Sequence, residues 1–451
     1  MFKGMSKFQI IFTGIFAGFL VLGVAMFALN KAGSSAASTP ITVWGFLDAN
    51  AFTNILEKTK LINDKATPVT YVQKDPATFE QDFVDAIVNG TSPDVVMITQ
   101  EQFYKDKNKL FAIPYANLDQ RTFKSIYLEE AELFMTPDGI YAIPFVMDPY
   151  VMYWNRSIFQ NAGIAEPPTQ WSQFYDLAKT LTTKDGALNI TRSAAGLGEY
   201  TNITHGKELL STLIMQAGSP ITEVNSGTGV VTAVLDKRFD NPITPAEAAV
   251  NFYTQFSDPA KDTYTWNRSL PSSKDMFISG DLATYFGPAS ELFEIQAKNP
   301  NLDFDVTYMP QTTGSETKLT FGNLEGLAIV KTSKHIAGAY SVIMKLTSPD
   351  ALSLVSQLTS LPPVRRDQLA AKPTTAYGSV FYNSALYAKG WIDPDSAASD
   401  KIFGSLIDSI TAGRAQPTEA VTNAANQLEL LFNANATPSP AAPSTVPSGS
   451  F

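Results

Sequence analysis

Short apolar runs alternate with helically spaced apolar positions along the first hundred residues of the polar-flanked region. Residues 41–44 (ITVW) read as a strand, and residues 51–62 carry apolar side chains at helical spacing, with Asp48 or Asn50 as candidate caps. Residues 69–72 give a second strand. Residues 78–89 give a helix: Phe79, Phe83 and Ile87 share one face, Thr78 is placed to cap it with Gln81 three residues on, and Gly90 is placed to end it. Residues 95–98 (VVMI) form a wholly apolar run that stops at Thr99 and Gln100. A buried parallel strand ends this way when its carboxyl end opens into a crevice. The alternation predicts an α/β fold with a parallel sheet.

The pattern changes at residues 141–154. Two apolar runs, 141–146 and 150–154, are broken by Asp148 and Pro149. A carboxylate between two apolar runs is costly to bury and points to a site or a hinge. Further on, Pro167-Pro168-Thr169 leads into a helix reaching about residue 181. Thr244, Pro245 and Glu247 make a helix start, followed by an apolar stripe of Ala248, Phe252 and Phe256 that reads as core. Residues 304–308 and 327–330 are strands; residues 335–346 and 418–432 are helices. No internal repeat occurs.

The two ends differ from this middle. Residues 8–29 contain no charged side chain. At about 1.5 Å per residue they reach roughly 33 Å, the thickness of a bilayer core. Lys3 and Lys7 precede them, which keeps the amino terminus cytoplasmic. Residues 1–30 are therefore expected as a transmembrane anchor, with a cleaved secretion signal ending near Ser35-Ala36-Ala37 as the alternative. Residues 31–40 (KAGSSAASTP) read as a flexible tether, and residues 434–451, rich in Ala, Pro, Ser and Thr, as a disordered tail.

Charge and composition then remove several function classes. Formal net charge is 33 − 43 = −10, with no basic cluster beyond Arg365-Arg366, so nucleic acid is not an expected partner. Cysteine is absent from the 451 residues, which excludes disulfides, thiol nucleophiles and thiolate metal sites. Only His205 and His335 are available as imidazole bases, neither near a nucleophile motif, and both read as surface histidines. No metal-binding, P-loop or dinucleotide motif appears, so no metal and no cofactor is expected. The carboxylates Asp148 and Glu325, both near predicted strand ends, leave glycoside hydrolysis as the enzymatic alternative.

A binding cleft has more support. Sugar-like ligands need aromatic faces for their C–H surfaces, and amides or carboxylates for their hydroxyls. Such residues gather at predicted strand ends: Trp44 and Asp48 after the first strand, Gln100 and Phe103 after the third, Asp148 and Tyr150 at the break, Tyr285 and Gly287 after a later run, Asn323 before residues 327–330, and Arg365 after 361–364.

Around these positions the chain reads SPDVVMITQEQF (92–103), YAIPFVMDPYVMYWNRSIFQNAGIAEPPTQWSQF (141–174), MFISGDLATYFGPASELF (276–293), FGNLEGLAIVKTS (321–333), SLPPVRRDQL (360–369) and GRAQPTEAVTNAANQLELL (413–431). In order and spacing these segments resemble the family 1 extracellular solute-binding proteins of ABC importers, the group that includes maltose-binding protein. The resemblance spans roughly residues 41–432. It implies a two-lobe, type II periplasmic-binding-protein-like fold with a ligand cleft between discontinuous lobes. Lobe one would be 41–147 and 309–331, lobe two 151–304 and 333–433, with hinges at 148–150 and 305–308. It implies that the candidate residues above face a small solute, such as a carbohydrate. It also implies a monomer that is no enzyme, works outside the cytoplasmic membrane and delivers its solute to an ABC permease. A receptor-like domain used for sensing or adhesion is the second reading. Two departures stand out. No cysteine follows the leader to carry a lipid. Many sugar binders of the family place a tryptophan directly after the Gly-Pro, where this chain has Ala289, leaving Trp266 and Trp391 as candidate substitutes.

Overall fold

The computed structural model describes residues 38–435, apart from 316, 372 and 374–376. The expected alternation forms at the start. β1 (Ile41–Gly45) is followed by α1 (Ala49–Lys58), where the Asp48 carboxylate accepts from the backbone N–H groups of Asn50 and Ala51. β2 (Val69–Gln73) and α2 (Phe79–Val88) come next, with Phe79 and Phe83 buried. Thr78 makes no side-chain cap bond, so α2 begins without the expected device. β3 (Val95–Thr99) buries its four apolar residues and leads directly into α3 (Gln100–Asp106).

Downstream lie β4 (Ala142–Asn155), β5 (Ile190–Ala195), α4 (Gly206–Gln216), α5 (Pro245–Thr254), β6 (Leu282–Pro288), β7 (Phe304–Thr307) and β8 (Thr320–Ile329). The longer helices that follow are α6 (Ile336–Leu346), α7 (Pro349–Thr359), α8 (Ser396–Thr411) and α9 (Pro417–Asn435), with shorter ones at Arg366–Leu369 and Gly378–Leu386 between α7 and α8. Thr244 caps α5 as expected, its hydroxyl accepting from the N–H of Glu247 at 3.1 Å with Pro245 in the first turn.

The main sheet runs β2-β1-β3-β8-β4-β6-β5, with β7 also on β4. It is mixed rather than parallel. β1 is parallel to β2 and β3, whereas β8 runs antiparallel to both β3 and β4. β4 corrects the expectation of two separate runs, because it continues unbroken through Asp148 and Pro149. It does so by changing partners. Residues 142–149 pair with β8, and residues 150–155 pair with β6 and β7. The exchange falls between Asp148, opposite Asn323, and Tyr150, opposite Pro288. Glycine is needed at Gly322 because a Cβ there would come within 2.7 Å of the Ala388 Cβ.

The carboxyl-terminal helices divide between the two halves of the sheet. α6 packs on β1 and β8, and α7 on α1; α8 and α9 pack on each other and against α5. Residues 336–359, expected with lobe two, thus sit with the β1–β3 half, where the apolar face of α6 (Ala339, Val342, Ile343, Leu346) is buried. Among the described residues no helix is long and apolar enough to cross a membrane. The anchor expected at 1–30 and most of the tether lie outside the described residues. α9 extends to Asn435, which places 434 and 435 in a helix, and the rest of the tail expected from 434 lies outside the described residues.

Candidate functional site

The end of β3 is shaped by a capping box. The Thr99 hydroxyl accepts from the N–H of Gln102, and the Gln102 side chain accepts from the N–H of Thr99. This sets Gln100 at the mouth of the strand, buried. Its Nε2 donates to the Gly322 carbonyl at 2.6 Å, and its Oε1 accepts from the Leu324 N–H at 2.5 Å. Both bonds flank Asn323, so Gln100 fixes that residue in place.

Asn323 stands opposite Asp148 in the ladder and hydrogen-bonds the Tyr150 side chain. Asp148 Oδ1 accepts from the Ser290 N–H at 3.0 Å. Tyr150 is buried with its hydroxyl 3.2 Å from His205 Nδ1. His205 Nε2 lies 3.0 Å from Glu291 Oε1, and the other Glu291 oxygen accepts from the Tyr285 hydroxyl at 2.6 Å. Lys274 completes the group, 2.8 Å from Glu291. Gly287 belongs to it sterically: a Cβ there would meet Glu291 Oε2 at 2.7 Å. Of the ten candidates, Gln100, Asp148, Tyr150, Tyr285, Gly287 and Asn323 therefore converge where β4 changes partners.

Electrostatics differ sharply within this group. Burial pushes Asp148 up to about 6, against the Ser290 bonds, with Glu291 adding to the rise. Burial and the nearby Asp148 push Glu325 to about 7. Its Oε2 is buried and makes no hydrogen bond. Burial also works against ionisation of Glu291, but His205, Lys274 and Tyr285 pull its pKa down to about 2. Burial opposes the charge on His205 as well, yet the Glu291 carboxylate raises its pKa overall. The pair thus favours the imidazolium–carboxylate form, whereas burial favours the neutral form of Asp148 and Glu325.

The other four candidates are placed differently. Trp44 is half-buried, with the Lys74 ammonium 3.8 Å from its ring centroid. Asp48 is exposed and caps α1. Phe103 is 2% exposed and sets its ring against Phe134 and Tyr141, each at 5.6 Å. Arg365 forms a two-bond pair with Asp367 and bridges Tyr127, outside the group at the crossing.

Next to the crossing lies a polar cavity of about 610 Å³ between residues 200–208 and α8. Tyr200, Thr201, His205, Glu208, Asp400, Lys401, Ser405 and Asp408 line it. His205 is shared, because its imidazole also meets Tyr150. It sits in the left-handed region (φ 60°) just before Gly206, and a Cβ at Gly206 would press on the Tyr200 ring at 3.2 Å. The Tyr200 hydroxyl donates to Asp400 at 2.5 Å. Apart from His205, no signal in the sequence points to these residues. The expectation that His205 is a surface residue is corrected, since its side chain is 26% exposed and bonded at both nitrogens. Neither candidate tryptophan offers a stacking face. Trp266 is fully buried and bonds Asn202; Trp391 is buried, stacked on Phe403. Tyr200 is the aromatic ring among the cavity-lining residues.

Residues 55–381 match the family described as bacterial extracellular solute-binding protein. A binding protein of Brucella abortus (strain 2308) is 22% identical over 363 residues, 76% of this chain and 80% of its own. The diacetylchitobiose-binding protein of Streptomyces coelicolor is 24% identical over 261 residues, 56% of each chain. The cyclic α-maltosyl-1,6-maltose-binding protein of Arthrobacter globiformis superposes with a TM-score of 0.69 at 15% identity, over 88% of this chain and 100% of that one. That likeness establishes the two-lobe α/β sugar-binding-protein fold. Family and structural neighbours bind substrates and are not enzymes.

Proposed function

The chain belongs to the bacterial extracellular solute-binding proteins, and on that footing we propose that it captures a carbohydrate between its lobes and hands it to an ABC import permease. The observation that carries this reading is the convergence of Gln100, Asp148, Tyr150 and Asn323 at the crossing strand, which Tyr150 joins through His205 to a polar, tyrosine-walled cavity on the lobe-two side. Hydroxyl-rich ligands suit such a wall, where carboxylates, a lysine and a serine surround one aromatic face. The named ligands of the Streptomyces and Arthrobacter relatives, diacetylchitobiose and a cyclic maltose derivative, agree with that class.

The lobes in this reading are residues 41–147 with 309–369, and residues 151–304 with 393–433; residues 361–369 go with lobe one because the Leu128 N–H donates to the Val364 carbonyl and Arg366 Nε donates to the Tyr127 carbonyl. Residues 148–150 and 305–308 act as hinges, since β4 changes partner at the first. The ligand favours closure by the contacts it gains only when both lobes reach it. Shifting the chain from mostly open to mostly closed takes about 5.5 kcal/mol of differential binding. A few desolvated hydrogen bonds at about 1 kcal/mol each, with burial of a sugar face on Tyr200, reach that range. The apolar residues 8–29 tether the receptor outside the cytoplasmic membrane, which concentrates it near its permease.

A thermal-shift screen against mono- and oligosaccharides tests this. A ligand at a hundred times its Kd stabilises the folded chain by about 2.7 kcal/mol, so at least one sugar raises the melting temperature by several degrees. A flat response across the panel overturns the carbohydrate reading.

A further inference from the structure

One lysine is buried where the two lobes meet, apart from the cavity wall. Lys207, in the first turn of α4, is 3% exposed. Its Nζ lies 2.9 Å from Asp393 Oδ2, 3.0 Å from Glu101 Oε1 and 3.0 Å from the Ser396 hydroxyl. Ser396 in turn donates to the second Glu101 oxygen at 2.8 Å, and Ser399 donates to Asp393 at 2.6 Å. Asp393 is fully buried. Glu101 belongs to α3, at the end of β3 in lobe one; Lys207, Asp393 and Ser396 belong to lobe two.

The partition of charge is informative. Asp393 and the two serines already satisfy Lys207 from within its own lobe, so the lysine does not need Glu101 in order to be paired. Glu101 supplies a second carboxylate across the gap. Two more contacts run along the same short helix. Lys105 Nζ lies 2.7 Å from Asp395 Oδ2, and the Tyr104 ring sets its edge on Phe432 at 5.0 Å. α3 is thus fastened along its length to residues 393–432.

We propose that Lys207 is a positioning residue for capture: by holding Glu101 across the gap it latches lobe one to lobe two on the α3 side, independently of ligand. This rests on the lobe motion described under the proposed function. The latch biases the chain towards the closed arrangement, so that a ligand acts on an equilibrium already tilted in its favour. The Lys207–Glu101 contact is an ion pair at Oε1 rather than a directed hydrogen bond, and the charge-assisted bond that orients Glu101 is the one Ser396 donates to its Oε2.

The chain has no cysteine, so labels go only where they are introduced. Val88, 79% exposed at the end of α2, and Leu188, 75% exposed before β5, lie towards opposite edges of the sheet. Nitroxides at Val88→Cys and Leu188→Cys report lobe separation by pulsed electron paramagnetic resonance, without added sugar. In the labelled parent a short-distance population dominates. Lys207→Met and Glu101→Gln each move weight to longer distances, and the double variant moves it no further than either alone, because both remove one contact. Glu101→Gln keeps the buried Lys207–Asp393 pair intact, so it decides the matter if Lys207→Met does not fold. A folded Glu101→Gln protein with the parental distance distribution overturns the latch, even if its melting temperature falls. The sugar screen on the same variants separates the two ideas: a retained sugar response with no distance change removes only the latch, and a distance change with no sugar response removes only the carbohydrate reading.

Discussion

The Tyr150 hydroxyl stands 3.2 Å from Nδ1 of His205, a contact between residues 55 positions apart in the chain. Tyr150 opens the half of β4 that pairs with β6, and His205 closes the loop that precedes α4. The bond therefore connects the place where the sheet changes partners to the wall of the cavity. It also aligns His205 with Glu291, so removing it loosens the next bond in the series.

Tyr150→Phe deletes only the hydroxyl, and a hydrogen bond of about 1 kcal/mol corresponds to roughly fivefold weaker binding of the sugar found in the screen. His205→Ala removes both bonds and leaves Glu291 short of a partner, so its loss is larger, about tenfold or more. Isothermal titration calorimetry measures both. Parental affinity in His205→Ala removes the residue from the site.

Asp148→Ala weakens sugar binding by about tenfold, near 1.4 kcal/mol, because the carboxylate holds Ser290 beside the crossing. The melting temperature changes little, since loss of that bond is offset by relief of a carboxyl whose ionisation burial disfavours. Calorimetry and a thermal melt on one preparation check the two halves of the prediction.

Stability should fall as pH rises through the range in which the buried carboxyls ionise. Asp148 and Glu325 titrate near 6 and 7 in the folded chain, and buried Glu130 near 8, all above their ordinary values. The folded chain then holds more protons than the unfolded one between roughly pH 4 and pH 8, so its stability declines across that window and is not penalised below it. Glu325→Gln removes one of these groups. Its melting temperature exceeds that of the parent by a few degrees at pH 8, and the gap closes at pH 5. A constant difference at both pH values contradicts the assignment.

Phe103 and Arg365 separate core from cleft. Phe103→Ala leaves a void beside Phe134 and Tyr141 and costs about 3–5 kcal/mol, yet sugar affinity measured well below the melting temperature stays parental. Arg365→Ala breaks a partly solvated pair with Asp367, changes stability by about 1 kcal/mol or less, and leaves affinity unchanged.

Local signals carried much of the first half of the fold. The β1–α1–β2–α2–β3 order followed from periodicity, because each element buries a face made by its own residues. β4 did not, because a carboxylate and a proline at Asp148-Pro149 look like a break to any local rule. What keeps the strand going is a second set of partners more than a hundred residues away. The same limit explains the site. Gln100 lies just past the end of β3, a position that sequence marks, whereas Asp148, Tyr150 and Asn323 stand inside β4 and β8, and sequence shows only their polar break in an apolar run. Tyr200, Asp400 and Asp408 meet only because α8 returns to the loop before α4, and no spacing along the chain encodes that return. His205 offered one signal, its rarity, but its role depends on a left-handed backbone and two distant partners. Phe103 shows the reverse case: its place after a strand end suggested a ligand face, and α3 turned it into the core.

The position of a bound sugar tests the central claim most directly. A crystal structure of the full chain with the screened sugar is expected to place it against Tyr200 and Asp408 on one side and the Asp148–Asn323 pair on the other. Density for the sugar elsewhere, with that space filled by protein, would contradict the account.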